Sequence, residues 1–68
     1  MDERLPPIGA VIRVGGAMYC VLAHPPGEWI PVEVVDPGAT SLQTGQLTRL
    51  PRAVCADYWE RFSNAGAW

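Results

Sequence analysis

Sixty-eight residues with five arginines, no lysine and seven acids give a net charge of −2, with 49% of residues hydrophobic and 18% charged. This balance belongs to a folded chain and leaves no basic stripe of the kind that grips nucleic-acid phosphates. One domain is expected, small enough to bury only about 60% of its unfolded surface, and no apolar run is long enough to span a bilayer.

Residues 1–7 read as an extended lead-in, because Pro6-Pro7 forbids helix there. The opening Met-Asp-Glu-Arg-Leu-Pro-Pro is unlike the basic-then-apolar profile of a secretory signal, so a cytoplasmic setting is the default expectation. A β-rich region then runs over 8–50, beginning with a hairpin over about 8–23 closed by Gly15-Gly16. Two adjacent residues with positive φ suit a type I′ turn, which glycine adopts without steric cost. With these two as the loop, Val14 faces Ala17, Ile12 faces Tyr19, Ala10 faces Val21 and Ile8 faces Ala23. On the other face Val11 lies opposite Cys20, Arg13 opposite Met18 and Gly9 opposite Leu22. Both faces are apolar. The predicted inner face is Ile8, Ala10, Ile12, Val14, Tyr19 and Val21, while Val11, Met18, Cys20 and Leu22 need a second cover.

His24-Pro25-Pro26-Gly27-Glu28 reads as a loop, followed by a third strand over Trp29–Val35. There Ile30, Val32 and Val34 share one face, opposite Trp29, Pro31, Glu33 and Val35. Pro31 lacks a donor, which predicts an edge strand or one unpaired position. Asp36-Pro37-Gly38 signals a turn with proline at its second position and glycine at its third. Thr40–Leu50 reads as a short polar hairpin turning near Gly45, with Leu42, Leu47 and Leu50 as anchors. Pro51 then opens a helix over 51–64, followed by a tail over 65–68. Val54, Cys55, Tyr58, Trp59 and Phe62 form the apolar stripe of that helix. The expected fold is small, β-rich α+β: a curled antiparallel sheet or partly open barrel of three to five short strands with one C-terminal helix.

The pattern Gly9-x-Val11-Ile12-x-Val14-x-Gly16-x-x-Tyr19-x-Val21 resembles the first hairpin of small Src-homology-3-like barrels, over about residues 8–35. That resemblance implies short, bent antiparallel strands around a tiny core, with loops or a strand face available to partners. It also implies a terminal strand where this sequence places its helix. A shared superfold does not by itself fix function.

His24 has no Ser, Cys or carboxylate at a spacing that would build a nucleophile–base pair, so a structural or exposed histidine is expected. Cys20 and Cys55 are expected as free thiols that pack as small hydrophobes. Neither sits in a Cys-x-x-Cys pair, and a single histidine does not readily complete a zinc site with them. Glu28, Glu33, Asp36, Asp57 and Glu60 follow no spacing that marks a catalytic pair. Gly9, Gly15 and Gly16 lie in a hairpin, where a phosphate-binding loop would join strand to helix. No catalytic residue, metal or cofactor is expected.

Three tryptophans are too many for so small a core to hide. Aromatic side chains bury large area at low entropic cost, so Trp29, Tyr58, Trp59 and Trp68, with Met18, are the expected protein-binding residues. The expected function is a small non-catalytic protein-binding module, an inhibitor or adaptor of a host protein. A lysine-free composition rich in Ala, Gly, Val, Pro and Arg suits a GC-rich genome, and hence a bacterial or phage accessory protein. One alternative is a nucleic-acid-binding small barrel using Arg13, Arg49, Arg52 and Tyr19. Another is a small structural subunit of a phage or other assembly, a homo-oligomer with edge strands paired across copies.

Overall fold

A computed structural model of the chain describes residues 5–57. They form an antiparallel sheet in the order β1-β2-β3-β4, with β1 Val11–Val14, β2 Ala17–Val21, β3 Trp29–Asp36 and β4 Leu47–Pro51. A helix, α1, starts at Arg52 and is described over 52–57. β1 and β4 do not pair, so the sheet is open. The fold is the small β-rich α+β arrangement expected, a four-stranded meander with one C-terminal helix. The expected continuation of the helix over 58–64 and the tail over 65–68 lie outside the described residues.

The first hairpin follows from its glycines. Gly15 and Gly16 both take positive φ, 61° and 85°, as a type I′ turn requires. The register is then Val14↔Ala17, Arg13↔Met18, Ile12↔Tyr19 and Val11↔Cys20, as the sequence predicts. The prediction fails one turn earlier. Ala10 N–H donates to the Pro7 carbonyl at 3.0 Å, and Gly9, with φ of 93°, donates to Val21 at 2.7 Å. The chain therefore bends over Ile8-Gly9, and Ile8 points outward at 63% exposure instead of joining the inner face.

β3 is a central strand, despite its proline. Pro31 lies opposite Arg49 on β4 and accepts the Leu22 N–H at 3.1 Å on the other side. Its missing donor thus falls beside Leu22, one residue past the end of β2, where the ladder stops anyway. Between β2 and β3 the register jumps from Tyr19↔Val34 to Met18↔Asp36, leaving Val35 unmatched in a bulge.

The expected hairpin within Thr40–Leu50 is not formed, although its turn near Gly45 is, with Gln46 N–H donating to Gln43 O at 3.0 Å and Gly45 at a φ of 85°. Residues 37–46 are a connection, and β4 pairs back on β3, from Glu33↔Leu47 to Trp29↔Pro51. The turn after β3 also sits one residue later than the sequence suggests. Thr40 N–H donates to the Pro37 carbonyl at 3.0 Å, which puts Gly38 and Ala39 at its centre. Asp36 Oδ1 accepts the Gly38 N–H at 3.0 Å, and this side-chain bond draws the turn forward. Pro51 closes β4, and the helix begins one residue beyond it.

One face of the sheet holds the core. Ile12, Ala17, Tyr19, Val21, Ile30, Val32 and Val34 are buried there with Cys55 of α1, and Leu5, Val14, Leu42 and Leu50 pack against them. Residues 5–7 are docked: Pro6 is fully buried, and its carbonyl accepts a 2.6 Å hydrogen bond from His24 Nε2. Arg52 clasps the β2–β3 loop, its Nε donating to Gly27 O at 2.7 Å and its Nη2 to Pro25 O. The Arg52 backbone N–H reaches Glu28 O at 2.7 Å. These bonds fasten α1 and residues 5–7 over the same side of the sheet.

Candidate binding face

The opposite side of the sheet follows from the registers above. Residues at alternate positions stand in rows across the strands. Trp29 is beside Pro51, and Leu22 and Pro31 are in line with Arg49. Val11, Cys20, Glu33 and Leu47 form the next row, and Arg13, Met18 and Asp36 the last. Val11 is 39% exposed, Leu22 36%, Trp29 43% and Leu47 70%, and Met18, Cys20 and Pro31 are half-buried between them. Among the described residues nothing lies over this face. It is an apolar patch four strands wide with charges at intervals, and no pair of its side chains forms a nucleophile–base arrangement.

No protein-family model, curated protein or solved structure matches the chain.

Trp29 anchors one corner of the face. The Arg49 guanidinium lies 4.9 Å from its ring centroid, a cation–π contact that fixes both side chains while leaving the ring open to solvent. Met18 sits at the far end of β2 on the same face, so the structure brings two of the expected protein-binding residues onto one surface. Tyr58, Trp59 and Trp68 lie outside the described residues. Leu47 and Pro31 belong to the patch, although the sequence reads Leu47 as an apolar anchor, which its 70% exposure overturns, and Pro31 only as a missing donor. A period of two along Leu47, Arg49 and Pro51 was the available signal, hidden by reading that segment as its own hairpin.

The nucleic-acid set does not come together. Tyr19 is 6% exposed in the core, so its ring has no face on which a base could stack. Arg52 is engaged with loop carbonyls on the core side. Arg13 and Arg49 are on the open face, at opposite edges on β1 and β4. Cys20 and Cys55 are both free, on opposite sides of the sheet. Burial pushes the Cys55 thiol up from its ordinary value, against smaller opposing pulls from the Arg52 charge and a backbone hydrogen bond. A thiol held protonated in this way is a packing group and a poor nucleophile. Among the described residues no helix is long and apolar enough to cross a membrane.

Proposed function

We propose that this protein is a non-catalytic protein-binding module, an inhibitor or adaptor, that holds its partner on the outer face of the sheet. The observation that carries this reading is the apolar surface of Val11, Cys20, Leu22, Trp29, Pro31 and Leu47, which the described residues leave uncovered while they fill the other face of the sheet. Covering Trp29 and Leu47 fully contributes about 1.5–3 kcal/mol each to an interface. The likeness of the hairpin to Src-homology-3-like barrels is compatible with this use, since partner binding by a strand face or by loops is what that resemblance implies. A bacterial or phage accessory protein is the setting we propose.

Pairing of edge strands across copies is the weaker reading. β1 is only four residues long and carries Arg13, and β4 carries Arg49 and ends in Pro51, which has no N–H to offer. Short strands, charges and proline are how sheets discourage edge pairing.

A photo-crosslinking amino acid placed at Leu47 or Val11, and at Thr40 as a loop control, tests the proposal in a bacterial lysate. A discrete adduct is expected from the two face positions alone, and Trp29→Ala should abolish it. Equal adducts from Thr40, or an adduct indifferent to Trp29→Ala, would sink the reading.

A further inference from the structure

We infer that Arg49 and Trp29 form a carboxylate anchor at one corner of the outer face, taking an acidic side chain that the partner presents among apolar residues. This rests on the reading of that face as an interface and names the chemistry the face holds. The first argument is what Arg49 turns away from. It stands opposite Pro31, so Trp29 and Glu33 are its two diagonal neighbours on β3. The acid is within reach of the same strand position, yet the guanidinium lies 4.9 Å from the ring centroid of Trp29. No hydrogen bond or ion pair joins it to a described residue. A guanidinium carries five N–H donors. The ring restrains the group, and its donors stay open to a ligand.

The second argument is the charge of the corner. Around Arg49 stand Trp29, Pro51, Pro31 and Leu22, all uncharged, with Leu47 two residues away along β4 on the same face. The acids of the face, Glu33 and Asp36, lie in the rows beyond. The corner is therefore one positive charge inside an apolar rim, and its complement is one negative charge with apolar neighbours. Arginine and tryptophan are also the residue types that most often dominate an interface.

The third argument is the kind of anion. A guanidinium meets a planar carboxylate through two parallel hydrogen bonds, and their single charges match. A phosphate dianion calls for a second cation, and among the described residues none stands at this corner. Arg13 is at the opposite edge in the last row, and Arg52 holds loop carbonyls on the core side. An acidic residue seated on Arg49 brings its own apolar neighbours onto Pro31, Leu22 and Leu47.

Nuclear magnetic resonance of the isotopically labelled full chain tests the inference, read at the Arg49 Nε–H and the Trp29 indole N–H. The probes are the end-blocked tripeptide Leu-Glu-Leu, its Leu-Gln-Leu counterpart and inorganic phosphate. Saturable shifts at both groups are expected with Leu-Glu-Leu, at a Kd on the order of millimolar. Leu-Gln-Leu and phosphate should bind about threefold more weakly or worse. Arg49→Lys keeps the charge but loses the fork, and it should weaken Leu-Glu-Leu binding about threefold or more, as should Trp29→Leu. Both positions are exposed, and the amide spectrum of each variant reports that it is folded. The Arg13 Nε–H, on the same face without a ring beside it, should stay in place. No saturable shift up to roughly 100 mM peptide overturns the inference. So do equal shifts at Arg13, equal binding of Leu-Gln-Leu, or phosphate binding as tight as Leu-Glu-Leu. Crosslinking from Leu47 and Val11 judges the face as an interface separately, so an adduct there beside a failed titration removes the carboxylate anchor alone.

Discussion

Among the described glycines, Gly38 is the one whose added Cβ would collide with main chain. Its φ is 57°, and a Cβ built there would stand 2.3 Å from the Gly16 carbonyl oxygen. Gly15 has a similar φ, 61°, with nothing within 4 Å of the corresponding position. The two glycines therefore separate backbone strain from collision. Gly15→Ala should cost about 1 kcal/mol for its conformation alone, whereas Gly38→Ala should cost about 2–4 kcal/mol because main chain must also move. Urea unfolding of the two variants checks this, and equal losses would mean that the two turns are not pressed together. Cys55 supplies a second prediction. Desolvation raises its folded-state pKa above the ordinary 9.0, so unfolded chains lose the thiol proton first as pH climbs. The stabilisation is complete below that value and is lost as pH rises through the folded pKa. The urea midpoint should therefore fall more steeply from roughly pH 8 to roughly pH 10 in the wild type than in Cys55→Ala. Parallel slopes would contradict it.

At the scale of elements, β4 shows how a strand divides its residues between two environments. Leu47 is 70% exposed on the open face, and Leu50 packs against the core. Leu47→Ala should change stability by no more than about 0.5 kcal/mol, while Leu50→Ala should cost about 2 kcal/mol. Chemical denaturation of both distinguishes them, and a larger loss at Leu47 would mean that the faces are assigned the wrong way round. The same strand marks where the sequence stops being legible. The first hairpin could be read to the residue, because a two-residue glycine turn and a side-chain period of two leave one register. β4 could not, since its partner lies across a ten-residue connection and its own pattern has only Leu47 and Leu50 to show. Ile8 was misleading for a related reason. Its apolar character extends the alternation past Gly9, yet the chain has already turned there. Pro51 fits the first position of a helix as well as the end of an edge strand, and only pairing with Trp29 decides between them. For the outer face of the sheet, the apolar side of the hairpin was visible in the sequence. The half supplied by β3 and β4 was not, because it needs the tertiary register to bring Pro31 and Leu47 alongside.

At the scale of the molecule the extents are 34 × 28 × 17 Å, and the described residues lay one layer on the sheet. That layer is built from the two ends of the described chain together with the connection that holds Leu42. Leu5 and Pro6 of the lead-in are consequently part of the core. Removing residues 1–7 takes away the buried Pro6 and the Leu5 contact, and it strands His24 without its carbonyl acceptor. The loss should be about 2 kcal/mol or more, seen as a lower thermal midpoint, and an unchanged midpoint would show that the lead-in is only draped over the core. The order β1-β2-β3-β4 bears on how the molecule assembles in time. Each strand pairs only with its sequence neighbours, and the first pair is joined by just Gly15 and Gly16. No distant closure has to precede any contact, so the loop-entropy barrier that slows most all-β topologies is small here. The chain can grow from the first hairpin one strand at a time, and the seating of Gly38 on Gly16 is a late event, possible only once β3 is in place. A fast refolding phase slowed far less by Gly38→Ala than unfolding is accelerated is the kinetic signature of that order.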